Sequence, residues 1–74
     1  MIYGIYVRTK PKNKWCLHSL KTSIDEANKD GIEAIEKAKE KGLDKAEFIV
    51  KQYFEMNHIP EFIDNLKNEK ILIN

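Results

Sequence analysis

The segment from Ser23 to Leu43 carries both the start and the stop signals of an α-helix, and it constrains the fold more than any other part of the chain. Ser23 is a good N-cap, and Glu26 follows at the spacing of a capping box. At the other end, Gly42 supplies a left-handed residue, and Leu43 can fold back toward Ala38. We therefore predict one helix in the middle of the chain, with sequence on both sides of it for strands.

One face of this predicted helix is made of small and aliphatic residues at helical spacing. The residues are Ile24, Ala27, Gly31, Ala34, Ile35 and Ala38. A face of such small residues can lie close against a sheet. Glycine in the middle of a helix costs about 0.5–1 kcal/mol relative to alanine, which a close crossing at Gly31 can offset.

Two segments before the helix, residues 2–9 and 14–20, are rich in β-branched and aromatic residues and are predicted to be strands. The residues between them favour a tight connection. Pro11 suits the first central position of a type I turn, and Asn13 tolerates the left-handed conformation of a three-residue hairpin loop. The two segments are therefore predicted to form a β-hairpin.

The length of the hairpin loop decides which side chains face the helix. A three-residue loop places Ile5 opposite Ser19 and Val7 opposite Leu17, whereas a two-residue loop places Val7 opposite Cys16. We favour the longer loop, because it groups the apolar residues on one face. The residues of that predicted helix-facing side are Tyr3, Ile5, Val7, Trp15 and Leu17.

Residues 45–56 alternate between two faces and are predicted to form a third strand. Ala46, Phe48, Val50 and Phe54 share one face; Glu47, Ile49, Lys51 and Tyr53 share the other. A short helix is predicted to begin near Pro60 and to present Phe62, Ile63 and Leu66 on one side. The tail 71–73 is either a short edge strand or a segment that pairs with another molecule. Residues 1–74 are thus predicted to form a single α+β domain, a two-layer sandwich with a β-β-α-β core, a short C-terminal helix and a possible edge strand.

The second face of the predicted sheet, which points away from the helix, is too apolar for a surface in water. Its residues are Ile2, Tyr6, Arg8, Cys16, His18, Leu20, Ile49 and Tyr53. Three interpretations are open. The C-terminal segment covers this face, a second copy packs on it in an isologous dimer, or it is an open platform of Tyr6, His18 and Tyr53 rimmed by Arg8 and Lys51.

A chain of 74 residues with a single cysteine has no internal disulfide to support a small core. Self-association is the favoured source of additional burial. We therefore predict a non-enzymatic protein-interaction module that forms a homodimer. The predicted interface residues are Tyr6, Leu20, Ile49 and Tyr53.

The net charge of +1 conceals an asymmetry, because residues 1–24 contain five basic and no acidic residues. Four of the basic residues lie near the hairpin tip, at Arg8, Lys10, Lys12 and Lys14. Such a cluster can contact phosphates. The sequence pI of about 7.8 lies below that of a dedicated nucleic-acid-binding domain, and Trp15 is predicted to face the core. Nucleic-acid binding is therefore the alternative function.

No catalytic, metal or cofactor site is predicted. Cys16 and His18 share a face of their predicted strand, but no third group is identified that would orient them for catalysis. Together with His58 they lack the paired spacing of zinc ligands, and the three glycines are too scattered for a phosphate loop. The sequence also lacks a signal peptide and a long apolar run, so we expect a cytoplasmic protein that does not enter a membrane.

Overall fold

The computed structural model describes residues 1–55, 58–63 and 71–73. These residues form an α+β fold with one helix and an antiparallel sheet, which confirms the predicted class. The elements are β1 (Ile2–Arg8), β2 (Trp15–Lys21), α1 (Ile24–Glu40), β3 (Glu47–Tyr53), β4 (Phe62–Ile63) and β5 (Ile71–Ile73). The strand order is β4-β2-β1-β3-β5, so β1 lies at the centre and α1 connects two strands on opposite sides of it.

Both ends of α1 are capped as the sequence predicts. The backbone N–H of Glu26 donates to Ser23 Oγ at 3.3 Å. At the C-terminus, Gly42 has a φ of 88°, and its N–H donates to the carbonyl of Lys39 at 3.0 Å. The N–H of Leu43 donates to the carbonyl of Ala38, also at 3.0 Å. These two bonds form a Schellman motif, which satisfies carbonyls that would otherwise lack partners.

The N-terminal half of α1 lies closer to the sheet than its C-terminal half. Ala27 and Gly31 are buried, and a β-carbon at Gly31 would overlap the ring of Phe48 on β3. The next apolar residues along the same face, Ala34 and Ile35, are only half-buried. The close crossing at Gly31 therefore fixes one half of the helix on the sheet and leaves the other half partly uncovered.

The β1–β2 hairpin contains an irregularity that the sequence analysis did not predict. Ile5 lies opposite Ser19 as expected, but the next residue, Tyr6, lies opposite Leu17. His18 is thus an extra residue on β2, which is the arrangement of a β-bulge. The hairpin therefore contains two registers, one in which Ile5 lies opposite Ser19 and one, on the other side of His18, in which Val7 lies opposite Cys16.

The predicted three-residue loop is wrong. Val7 lies opposite Cys16, and the N–H of Asn13 donates to the carbonyl of Lys10 at 3.0 Å, which closes the turn around Pro11. Among the described residues no non-glycine residue has a positive φ, so Asn13 does not adopt the left-handed conformation that the longer loop requires.

The bulge changes the face of the sheet on which the side chains of residues 15–17, between the hairpin turn and His18, lie. Trp15 and Leu17 were predicted to face the helix, but they pack on the second face with Tyr6. Cys16 shares the helix side with its cross-strand partner Val7. His18 also lies on the helix side, with its Nε2 atom 3.5 Å from a carboxylate oxygen of Asp30 on α1. This position of His18 contradicts the third interpretation of the second face, an open platform that includes His18.

The second face is covered by the chain itself. Tyr6, Trp15, Ile49 and Ile63 form its buried cluster. The hydroxyl of Tyr6 donates to the carbonyl of Pro60 at 2.7 Å and lies 2.7 Å from the hydroxyl of Tyr53. Of the three interpretations of this face, coverage by a C-terminal segment agrees with the position of residues 60–63.

The predicted helix near Pro60 is wrong at Phe62 and Ile63, which form β4 and pair with Cys16 and Trp15. Leu66 lies outside the described residues. The tail forms β5, which pairs antiparallel with β3 and places Ile73 opposite Val50. β4 and β5 therefore cover part of the outer edges of β2 and β3, where unpaired backbone groups would otherwise be exposed.

Candidate binding surface

A cavity of about 270 Å³ lies between the C-terminal half of α1 and the end of the sheet that is nearest the hairpin turn. It lies beyond the buried residues Ala27 and Gly31, where the C-terminal half of α1 is less closely packed on the sheet. The side chains that make its surface apolar are Val7, Ala34, Ile35, Ala38, Leu43 and Ala46. We call this space the aliphatic cavity.

A second space of about 350 Å³ lies on the same side of the hairpin, and Val7, Cys16 and Phe62 contribute its apolar surface. It shares Val7, Arg8 and Thr9 with the aliphatic cavity, so the two adjoin. The bulge explains this second space. It turns the large side chain of Trp15 to the opposite face and leaves the smaller Cys16 on this one. We call the two spaces together the trough.

The rim of the trough is basic. Lys37 and Lys41, from the end of α1, line the aliphatic cavity. Lys45, from the loop that follows, lines a depression together with Lys10 and Lys12 of the hairpin tip. The fold thus brings lysines that are distant in sequence to one end of the molecule, which we call the basic end and define as residues 8–14 and 37–47.

The basic end carries eight basic and three acidic side chains, a net charge of +5. The rest of the chain, with five basic and nine acidic side chains, carries −4. Charge separation of this size creates a field that attracts anionic partners toward one end of a nearly neutral molecule.

The four residues predicted to contact nucleic acid have different environments in the structure. Lys10 and Lys12 are exposed. Arg8 forms an ion pair with Glu47 and lies over the ring of Trp15, with its guanidinium carbon 4.0 Å from the ring centroid. Lys14 is exposed but already interacts within the chain. Arg8 therefore has a structural role, whereas Lys10 and Lys12 remain accessible.

The four residues predicted to form a homodimer interface also differ in their accessibility. Tyr6 and Ile49 are 0% and 1% exposed and belong to the buried cluster of the second face. Leu20 and Tyr53 are half-buried. Because Tyr6 and Ile49 pack against residues of their own chain, only Leu20 and Tyr53 remain accessible for contact with a second copy.

Cys16 and His18 do not come together as a reactive pair. Cys16 is exposed in the second space of the trough, whereas His18 lines the aliphatic cavity with its ring near Asp30, which also accepts a hydrogen bond from the hydroxyl of Ser19. Within residues 1–55, 58–63 and 71–73, no group of three or more His, Cys, Asp or Glu side chains is arranged to hold a metal ion.

Sequence analysis missed the residues that the end of α1 contributes to the surface. Lys41 and Leu43 can be recognised in the sequence as part of a helix end, but nothing there shows that this end lies beside the hairpin tip. The signal that was available is the density of lysines in two separate segments, residues 8–14 and 37–45. Only the fold shows that these segments form one surface.

Comparisons of the chain with protein-family models, with curated proteins and with solved structures found no match. The one helix in the described part of the chain does not have the length and apolar character needed to cross a membrane. Functional inference therefore rests on the trough and on the charges around it.

Proposed function

We propose that this chain is a non-enzymatic protein-interaction module that binds an apolar segment of a partner protein in the trough. The single observation that carries the proposal is the aliphatic cavity of about 270 Å³, which opens beside exposed lysines. Apolar grooves of this kind accept the apolar side chains of a bound segment, while polar groups at the rim orient it.

The chemistry of the cavity favours a protein segment over a nucleic acid. Among the described residues, His18 is the one aromatic side chain that lines the aliphatic cavity, and Phe62 is the one that lines the adjoining space. Bases therefore find little aromatic surface in the trough on which to stack. Trp15 is 4% exposed and lies beneath Arg8. Aliphatic walls gain free energy by removing apolar surface from water, and apolar side chains of a partner supply that surface.

Substitution of two isoleucines on α1 tests the proposal with a matched control. Ile35 lines the aliphatic cavity, whereas Ile32 is 45% exposed on the same helix and does not line it. Peptides selected from a random displayed library against the wild-type chain should bind Ile32→Glu with nearly unchanged affinity. They should bind Ile35→Glu at least about tenfold more weakly, a loss of about 1.4 kcal/mol.

Circular dichroism should first show that both isoleucine variants are folded. Should Ile35→Glu fail to fold, Ala34→Leu, which fills the same cavity with an apolar side chain, replaces it. If the selected peptides bind Ile35→Glu, or Ala34→Leu in its place, with the same affinity as Ile32→Glu, the trough is excluded as the binding site.

The homodimer predicted from the sequence remains a prediction, now with a smaller accessible interface. Leu20 and Tyr53 lie at the edge of the second face. Sedimentation equilibrium at micromolar concentration should give a mass above that of the 8.7 kDa monomer if they form an interface. Leu20→Lys should then restore the monomer mass, and a monomer mass for the wild-type chain would exclude the homodimer.

Nucleic-acid binding is a second candidate, because Lys10, Lys12 and Lys45 converge at the basic end. Fluorescence anisotropy of labelled single-stranded oligonucleotides at several salt concentrations tests it. With three phosphate contacts, a plot of the logarithm of the association constant against the logarithm of salt concentration should have a slope of about −2. Lys12→Glu combined with Lys45→Glu should abolish binding, while Lys21→Glu combined with Lys29→Glu should not.

A further inference from the structure

We infer that the segment bound in the trough is acidic as well as apolar, with two apolar anchor residues on one face and carboxylates beside them. This inference rests on the proposed function and specifies the chemistry of the partner. The adjoining cavities on either side of Val7 account for the two anchors. The basic rim accounts for the carboxylates.

The rim favours acidic residues because its lysines have few acidic neighbours. Lys37 and Lys41 are exposed at the aliphatic cavity, and Lys10 and Lys45 continue the basic surface toward the hairpin tip. Of the three acidic residues at the basic end, Glu47 is held by Arg8, and Asp44 lines the same depression as Lys10 and Lys45, so the lysines of the rim outnumber its carboxylates. Carboxylates of a partner would therefore meet mainly positive charge, which speeds association and selects against basic segments.

The geometry also indicates that side chains, rather than strand pairing, provide the recognition. The floor of the trough is the face of β1 and β2, and β1 is already paired on both edges, with β2 and β3. A partner segment in the trough therefore cannot add a strand to the sheet by pairing with β1. An amphipathic segment that presents its apolar face to the groove fits this surface.

Three labelled peptides of equal length separate charge from apolarity: one of Leu and Glu, one of Leu and Lys, and one of Ser and Glu. Their affinities for the full chain are measured by fluorescence anisotropy. Cys16 is the only cysteine of the chain and is exposed in the trough, so its rate of reaction with an uncharged maleimide reports whether the trough is occupied.

We expect the Leu–Glu peptide to bind at least about tenfold more tightly than either of the other two peptides and to slow the labelling of Cys16. Lys37→Gln combined with Lys41→Gln should remove most of this preference. The matched control, Lys21→Gln combined with Lys29→Gln, removes the same number of charges beside the polar depression at Glu26 and should leave the preference in place.

Equal binding of the Leu–Lys peptide, with Cys16 still protected, would overturn the acidic specificity while leaving the proposed docking function intact. Equal binding of the Ser–Glu peptide would overturn the role of the apolar anchors. If neither Leu-containing peptide slows the labelling of Cys16, the inference fails. If library selection also yields no peptide that discriminates Ile35→Glu, the proposed function fails with it.

Two other occupants are distinguished in the same experiments. A single-stranded oligonucleotide that protects Cys16 as well as the Leu–Glu peptide does would overturn the inference in favour of a nucleic acid. A dimer mass without peptide, lost in Ile35→Glu, would show that a second copy fills the trough and would also overturn it.

Discussion

The hydroxyl of Tyr6 is a buried polar group whose partners come from two other parts of the chain. It donates to the carbonyl of Pro60 and lies 2.7 Å from the hydroxyl of Tyr53, which can donate to it in turn. A buried polar group is tolerated only when it is hydrogen-bonded. Tyr6 therefore connects the central strand to the segment that covers the second face.

Tyr6→Phe should lower the free energy of unfolding by about 1–3 kcal/mol, because it leaves the carbonyl of Pro60 without this donor. Urea denaturation measures the change. Amide exchange at Leu17 should also accelerate, since its N–H donates to the carbonyl of Glu61 in the same segment at 2.8 Å. Tyr3→Phe is the control, because the hydroxyl of Tyr3 is hydrogen-bonded to the sulfur of Met1 at an exposed position. An equal loss in both variants would contradict a specific role for the Tyr6 hydroxyl.

Gly31 shows how a single missing side chain determines the position of the helix. Replacing glycine with alanine inside a helix normally adds about 0.5–1 kcal/mol of stability. At this position the added methyl group would overlap the ring of Phe48, and overpacking costs about 1–3 kcal/mol. Packing against the sheet is thus expected to outweigh helix propensity.

Gly31→Ala should therefore destabilise the protein by about 1–2 kcal/mol in urea denaturation. Adding Phe48→Leu should give a double variant whose loss is smaller than the sum of the two single losses, because the smaller side chain leaves room for the methyl group. An increase in stability for Gly31→Ala alone would show that α1 does not cross β3 as closely as described.

At the scale of the elements, the C-terminus of α1 depends on the left-handed conformation of Gly42. Its φ is 88°, and no atom lies within 4 Å of the place that a β-carbon would occupy. A side chain at this position would therefore meet no neighbouring atom, and its cost would come from holding the backbone in the left-handed conformation. Gly42→Ala should lower the free energy of unfolding by about 1–2 kcal/mol.

Gly42→Asn provides the comparison, since asparagine visits the left-handed region more readily than alanine and should destabilise the protein less. Thermal unfolding of the two variants under identical conditions measures the difference. Equal stability of Gly42→Ala and the wild-type chain would contradict the role of Gly42 in the Schellman motif that ends α1. Because Leu43 lines the aliphatic cavity, a disturbed helix end should also weaken peptide binding.

The parts of the fold that follow from neighbouring residues could be predicted from the sequence. The caps of α1 are local motifs, and the two faces of β3 follow from simple alternation. The bulge at His18 could not be predicted, because it requires no glycine or other special residue and no positive φ. One unrecognised extra residue then reversed the faces assigned to Trp15 and Cys16.

The candidate site could be predicted only where its residues lie close in sequence. Lys10 and Lys12 were recognised as an accessible basic cluster at the hairpin tip. The trough itself depends on two long-range features, the bulge in β2 and the departure of α1 from the sheet after Gly31. The bulge is not specified by residue type, and Gly31 indicates a close crossing without showing that the rest of α1 leaves the sheet. The convergence of Lys41 and Lys45 with the hairpin depends on the fold.

At the scale of the whole molecule, the basic end should dominate electrostatic behaviour although the net charge is only +1. The chain is expected to bind a cation-exchange resin at pH 7 and low salt, because a charged surface interacts through its nearest face. Lys12→Glu combined with Lys45→Glu should elute without retention. Lys21→Glu combined with Lys29→Glu has the same net charge and should still be retained, and identical elution of the two variants would contradict the charge separation.

The central position of β1 has a consequence for the synthesis of the chain. β1 is made first, and β2 follows closely enough for the hairpin to close early. The other edge of β1 pairs with β3, where Ile2 lies opposite Tyr53. That edge stays unpaired until β3 has been made, and an unpaired edge is a template for association between chains. Growing chains that have made β1 but not yet β3 therefore carry a strand edge that can pair with the same edge of another chain, and ribosomes that follow one another on one message bring such chains close together.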